Sequence, residues 1–76
     1  MTSLEAVREM LETSGMSPYR VSLALGRSPN YISGMLRRGS VPSADLLAKI
    51  AGVCGYELRL CPRVGEGSAL VLTAHD

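Results

Sequence analysis

SPYRVSLALGRSPNYISGMLRRG, residues 17–39, is the stretch on which the reading of this chain turns. Ser17-Pro18 and Ser28-Pro29 each put a hydroxyl where a helix N-cap belongs and a proline at the first helical position. There the missing N–H is no loss, and the fixed φ already suits a helix. Between the two pairs, Gly26 is free to take the positive φ that closes one helix and opens a turn. Val21 and Leu25, then Ile32, Met35 and Leu36, recur at helical spacing, so each helix has a buried face and a free one. The free face of the second helix, 29–38, carries Asn30, Tyr31, Ser33, Gly34, Arg37 and Arg38, with no carboxylate. A helix packed on one side and lined with small, amide and cationic groups on the other is shaped to enter a DNA major groove.

Charge supports that reading by its placement. The net charge of +1 argues nothing. Residues 17–49, however, hold Arg20, Arg27, Arg37, Arg38 and Lys49 against Asp45 alone. The segment before them sets Glu5, Glu9 and Glu12 against Arg8, and the segment after sets Glu57, Glu66 and Asp76 against Arg59 and Arg63. Positive charge thus gathers on the helix pair, as a phosphate-binding surface requires.

Seventy-six residues make one domain near the lower size limit for a self-sufficient core, so a second copy of the chain is an expected source of stability. With no Trp or Phe, aliphatic side chains and Met must do the packing. No apolar run approaches the ~18 residues a bilayer span needs, so no membrane association is expected. No basic segment followed by an apolar one opens the chain, and the cytoplasm is the expected location. Cys54 and Cys61, with His75 distant, do not make a four-ligand zinc site. They read as small apolar packing residues kept reduced, with a disulfide or redox switch as the alternative. No metal or other cofactor is implied.

On the N-terminal side, Thr2 and Glu5 form a capping box for a helix ending near Ser14-Gly15, with Leu4, Val7, Met10 and Leu11 inward. Arg8 is placed to pair with Glu5 or Glu12, and the acidic outer face is expected to point away from nucleic acid. On the C-terminal side, Ser43 caps a further helix with Asp45 in its first turn and Lys49 outward. Its apolar side is Leu46, Leu47, Ile50, Val53 and Cys54, and Gly55 is its stop. At Tyr56 the period changes: Glu57-Leu58-Arg59-Leu60 alternates as a half-buried strand does, and Ala69-Leu70-Val71-Leu72-Thr73 is a second strand across the turn Val64–Ser68. Either the strands of two subunits join in one sheet, burying Leu58, Leu60, Leu70 and Leu72, or the hairpin folds back on its own helices.

With these residues laid out, the chain resembles the Cro/repressor-type (Xre) helix-turn-helix family over roughly residues 3–55. The likeness rests on Leu25-Gly26-Arg27-Ser28, then Tyr31-Ile32-Ser33, then Gly39 leading through Pro42 to Leu46-Leu47-Ala48-Lys49-Ile50-Ala51. It implies a mainly α, four- to five-helix repressor-like bundle with a C-terminal pair of strands used in dimerisation. The boundaries are 1–55 for DNA binding and 56–76 for dimerisation. Two positions depart from the family pattern. Pro18 stands where members usually carry Gln, and Gly34 stands where a base-reading side chain often lies, so readout leans on other positions.

The base-reading set is Asn30, Tyr31, Ser33, Gly34 and Arg37. Asn30 leads it, because a carboxamide bonds adenine N6 and N7 together. Ser33 can reach a base edge or a phosphate, and Arg37 a guanine or a phosphate. Tyr31 can bond phosphate, stack on sugar or pack in the core, while Gly34 lets the helix backbone approach the groove. Ser17, Tyr19, Arg20, Arg27, Ser28, Arg38 and Ser40 are the phosphate contacts, helped by the N–H groups of two helix N-termini. No His–carboxylate or Cys–His grouping and no glycine-rich phosphate loop points to an enzyme. The expected function is a homodimeric repressor on inverted-repeat double-stranded DNA. The alternatives are an antitoxin that also binds a toxin protein, and an interaction module that has given up DNA.

Overall fold

A computed structural model describes residues 1–65 and 67–74; Glu66 of the expected turn, His75 and Asp76 lie outside the described residues. The chain forms α1 (Ser3–Ser14), α2 (Pro18–Ala24), α3 (Tyr31–Arg38) and α4 (Ala44–Val53), then β1 (Leu58–Leu60) and β2 (Leu70–Leu72). A helix bundle with a terminal two-stranded sheet is the expected class, and the helix count settles at four among the described residues.

Local chemistry accounts for most helix ends. At α1 the capping box is complete: the Glu5 N–H donates to Thr2 Oγ1 at 3.2 Å and the Thr2 N–H to Glu5 Oε1 at 2.9 Å. The bond from the Thr2 backbone holds the Glu5 carboxyl below its ordinary value, since it favours the charged form. Ser17 and Ser43 cap α2 and α4, accepting from the Arg20 and Leu46 N–H groups at 3.2 and 3.1 Å. Helix α2 ends with Gly26 at φ 72°, where the Gly26 N–H reaches the Leu23 carbonyl and the Arg27 N–H the Ser22 carbonyl. Those two bonds satisfy carbonyls the helix would otherwise strand, and they need a residue without a Cβ at the left-handed position.

The core lies where the inner faces of all four helices meet. Val7, Val21, Ile32 and Ile50 have no exposed surface, and Met10, Leu11, Met35, Ala51 and Cys54 surround them. Each large side chain so buried stabilises by about 1.5–3 kcal/mol before chain entropy is counted, which in so small a domain leaves no spare layer. Lys49 points outward and pairs with Asp45 at 3.7 Å, a surface contact worth at most about 1 kcal/mol. Arg8 does not pair within α1. It crosses to α3 and donates to the Leu36 carbonyl at 3.3 Å.

The strands pair antiparallel within the chain, in the register Leu58↔Leu72, Arg59↔Val71, Leu60↔Leu70. Residues opposite one another share a face, so the four leucines line one side of the hairpin. Leu58 and Leu72, half-buried, close a cleft against Ala48 and Gly52 of α4. Leu60 and Leu70 extend beyond the bundle and are 55% and 65% exposed. The Thr13 and Tyr56 hydroxyls share a hydrogen bond that ties the end of α1 to the entry of the hairpin. Cys54 packs in the core as expected, but Cys61 is exposed. It follows the last paired residue of β1, past the reach of the bundle, so the packing role expected for it is corrected.

Candidate nucleic-acid interface

Helices α2 and α3 form the most extensive helix–helix contact, and the turn between them sets how α3 is presented. The expectation that Ser28 caps α3 with Pro29 as its first residue is corrected. Ser28-Pro29-Asn30-Tyr31 is instead a β-turn closed by the Tyr31 N–H on the Ser28 carbonyl at 3.1 Å. Proline suits the second position of such a turn as well as the first of a helix, and Asn30, at φ −97° and ψ 9°, has the backbone of its third position. The recognition helix therefore starts two residues later than expected, at Tyr31, with Asn30 as N-cap.

The first turn of α3 is held from α2. The Ser22 hydroxyl, with no exposed surface, donates to the Pro18 carbonyl at 2.7 Å and accepts from the Ile32 N–H at 3.0 Å. Its last turn is held from α1 by the Arg8 bond to Leu36. A cation at a helix C-terminus also meets the negative end of the dipole there. Both ends of α3 are thus fixed by side chains of other helices.

Asn30, Arg37 and Arg38 stand exposed on the outer side of α3, with no acidic residue in its first turn. Tyr31 is half-buried: it packs against the core and carries the Arg27 guanidinium over its ring, 4.9 Å from the centroid. The stack orients a cation beside the helix start. Ser33 is half-buried and donates to the Asn30 carbonyl at 3.3 Å. Gly34 is buried, which corrects its placement on an open face. Arg38, one turn on, folds back over it, and a Cβ there would stand 2.9 Å from Arg38 Nη1. The bare backbone makes room for a guanidinium, and close approach of DNA at Gly34 requires that side chain to swing away. The seven residues expected to meet phosphate, Ser17, Tyr19, Arg20, Arg27, Ser28, Arg38 and Ser40, are all exposed.

Sequence reasoning overlooks Ser22 and Arg8. Ser22 has a signal: it lies four residues after Pro18 and three before Leu25, on the inner side of α2, where a hydroxyl must find a partner. Arg8 has none, because its acceptor is a backbone carbonyl 28 residues away.

A short helix packed across its neighbour, its outer side cationic and free of carboxylates, defines the helix-turn-helix class of DNA-binding domains. The helix-turn-helix family model matches residues 7–60, and the chain belongs to that family, in its Cro/C1-type, Xre-like branch. It is a family of DNA-binding transcription regulators, not typically enzymatic. No curated protein and no solved structure gives a significant match to the chain. Among the described residues no helix is long and apolar enough to cross a membrane.

Proposed function

We propose that the protein is a repressor that occupies an inverted-repeat operator in the cytoplasm as a homodimer, with α3 in the major groove. The observation that carries this reading is the solvent-open row of Asn30, Arg37 and Arg38, flanked by six further exposed hydroxyl and cationic groups suited to phosphate. Asn30 and Arg37 read bases, with Ser33 and Tyr31 at the edges of the footprint, and the phosphate set fixes the register. The departure at Pro18 removes an amide from the start of α2 but leaves that end intact, since Ser17 caps it.

Residues 56–76 serve assembly in this reading. A two-stranded sheet has an open edge on each side, and Leu60, Leu70 and Val71 leave apolar surface in water. A hollow of about 270 Å³ beside it, lined by Ala6, Met10, Leu47, Ala51 and Leu58, continues that surface. A second copy seated there covers both. Reading an inverted repeat requires that dimer to hold its two α3 helices about 34 Å apart, one turn of DNA.

Selection from random duplexes at moderate salt tests the proposal. An inverted repeat is expected, and Asn30→Ala flattens the preference at one base pair in each half-site, a loss of about 1–3 kcal/mol. Sedimentation should show a dimer that Leu60→Asp converts to monomer. No mobility shift on any duplex at low salt sinks the proposal and leaves the interaction module; a second, protein partner recovered with an intact shift marks the antitoxin.

A further inference from the structure

We infer that Ser22 is the N-terminal cap of the recognition helix, and that this loan from α2 is what leaves the Asn30 carboxamide free for a base. The second half rests on the function proposed above; the first does not.

The other three helices show what capping from the N-cap residue itself looks like. Thr2, Ser17 and Ser43 have ψ of 165°, 155° and 163°, and each side chain accepts from a backbone N–H of its own first turn. Asn30 has ψ 9° and makes no side-chain cap bond. Asparagine is among the best capping residues, so its idleness here needs a cause. The β-turn supplies one, since it holds the Asn30 backbone out of the extended region a cap requires. Ser22 supplies the other, because it already takes the Ile32 N–H, the second of the helix and a usual target of an N-cap side chain. The hydroxyl's only proton goes to the Pro18 carbonyl, so its lone pairs are what face Ile32. Being fully buried, the pair is not exchanged for water.

The consequence is chemical. Bidentate bonding to adenine uses the carboxamide oxygen and nitrogen together. An Asn that capped its own helix would have its oxygen turned to the backbone and could not do so. Ser22 is thus a positioning residue for specificity, placed inside the protein and touching no DNA.

The test uses the full chain as Asn30→Ala and Ser22→Ala, with unfolding midpoint, amide exchange and duplex selection as readouts. Asn30→Ala should leave the unfolding midpoint and the Ile32 amide exchange where they are, yet cut the preference at one base pair by roughly 5- to 150-fold. Ser22→Ala should speed Ile32 exchange by roughly tenfold or more. It should also weaken preference at that same base pair, leaving affinity for random duplex unchanged. A midpoint lowered by Asn30→Ala, or Ile32 exchange unmoved by Ser22→Ala, overturns the cap assignment. An unmoved midpoint with unmoved base preference in Asn30→Ala keeps the cap and overturns the base-reading role alone. Should Ser22→Ala not fold, the Asn30→Ala midpoint and slow Ile32 exchange in the unaltered chain still decide.

Discussion

Replacing Arg38 by alanine isolates the electrostatic part of the proposed interface. Arg38 is exposed in the last turn of α3 and makes no ion pair among the described residues, so its loss strands no partner charge. What the fold loses is a cation near a helix C-terminus, about 0.3–1 kcal/mol. The unfolding midpoint should therefore fall by about 1–8 °C, with the protein still folded at the binding temperature. Binding should move in a defined way. Arg20, Arg27, Arg37 and Arg38 are the exposed arginines of α2, α3 and the turn, so a dimer brings two sets of them to the duplex. With Arg37 on a base and the other three each neutralising one phosphate, log affinity falls against log salt with a slope of about −5, and Arg38→Ala makes it about −4. Between 50 and 200 mM salt that is a loss of roughly thousandfold for the native protein and roughly hundredfold for the variant. Fluorescence anisotropy on the selected operator and on a random duplex, repeated across salt, measures both slopes. A slope unchanged by Arg38→Ala, or a loss confined to the operator, refutes the phosphate assignment.

The core and the first cap give two further predictions. Ile32→Ala should cost about 2–5 kcal/mol and Ile32→Val about 0.5–1.5, because Ile32 is fully enclosed and its neighbours cannot fully collapse into the space. Urea unfolding checks this, and an Ile32→Ala protein as stable as the native one would show that the site is not packed. Thr2→Ala should cost about 1 kcal/mol through the lost cap, while the Glu5 carboxyl stays below its ordinary value because the Thr2 backbone N–H still donates to it, as NMR titration would show. With the folded value lowered, the Glu5 contribution is present above the unfolded value and fades as pH falls through the folded one. Glu5→Gln, which removes the titrating carboxyl, should therefore flatten the acid limb of stability, and an unaltered limb would count against the capping box as its source.

Much of this molecule is decided within four residues of chain. Thr2, Ser17 and Ser43 cap helices because a hydroxyl at an extended residue reaches the N–H groups of the next turn whatever surrounds it. Val7, Val21, Ile32 and Ile50 are buried because each falls on the apolar stripe of its own helix. The change of period at Tyr56 marks strands for the same reason. Where the reading of the residues goes astray, two local outcomes are close in energy and a distant group chooses between them. Ser28-Pro29 fits a helix start and a β-turn equally well, and the hydroxyl of Ser22 tips it to the turn by taking the Ile32 N–H.

Fold class, the gathering of cations on the helix pair and the exposure of Asn30, Arg37 and Arg38 were thus within the sequence's own power to specify, since capping, periodicity and charge placement act over one or two turns. Only the tertiary structure settled where α3 begins, which side chains hold its two ends, that Gly34 lies under Arg38, and that Leu60 and Leu70 stand clear of the bundle. Those outcomes depend on which donor meets which acceptor, and which surface runs out of neighbours, once separate helices have packed. No spacing along the chain encodes that.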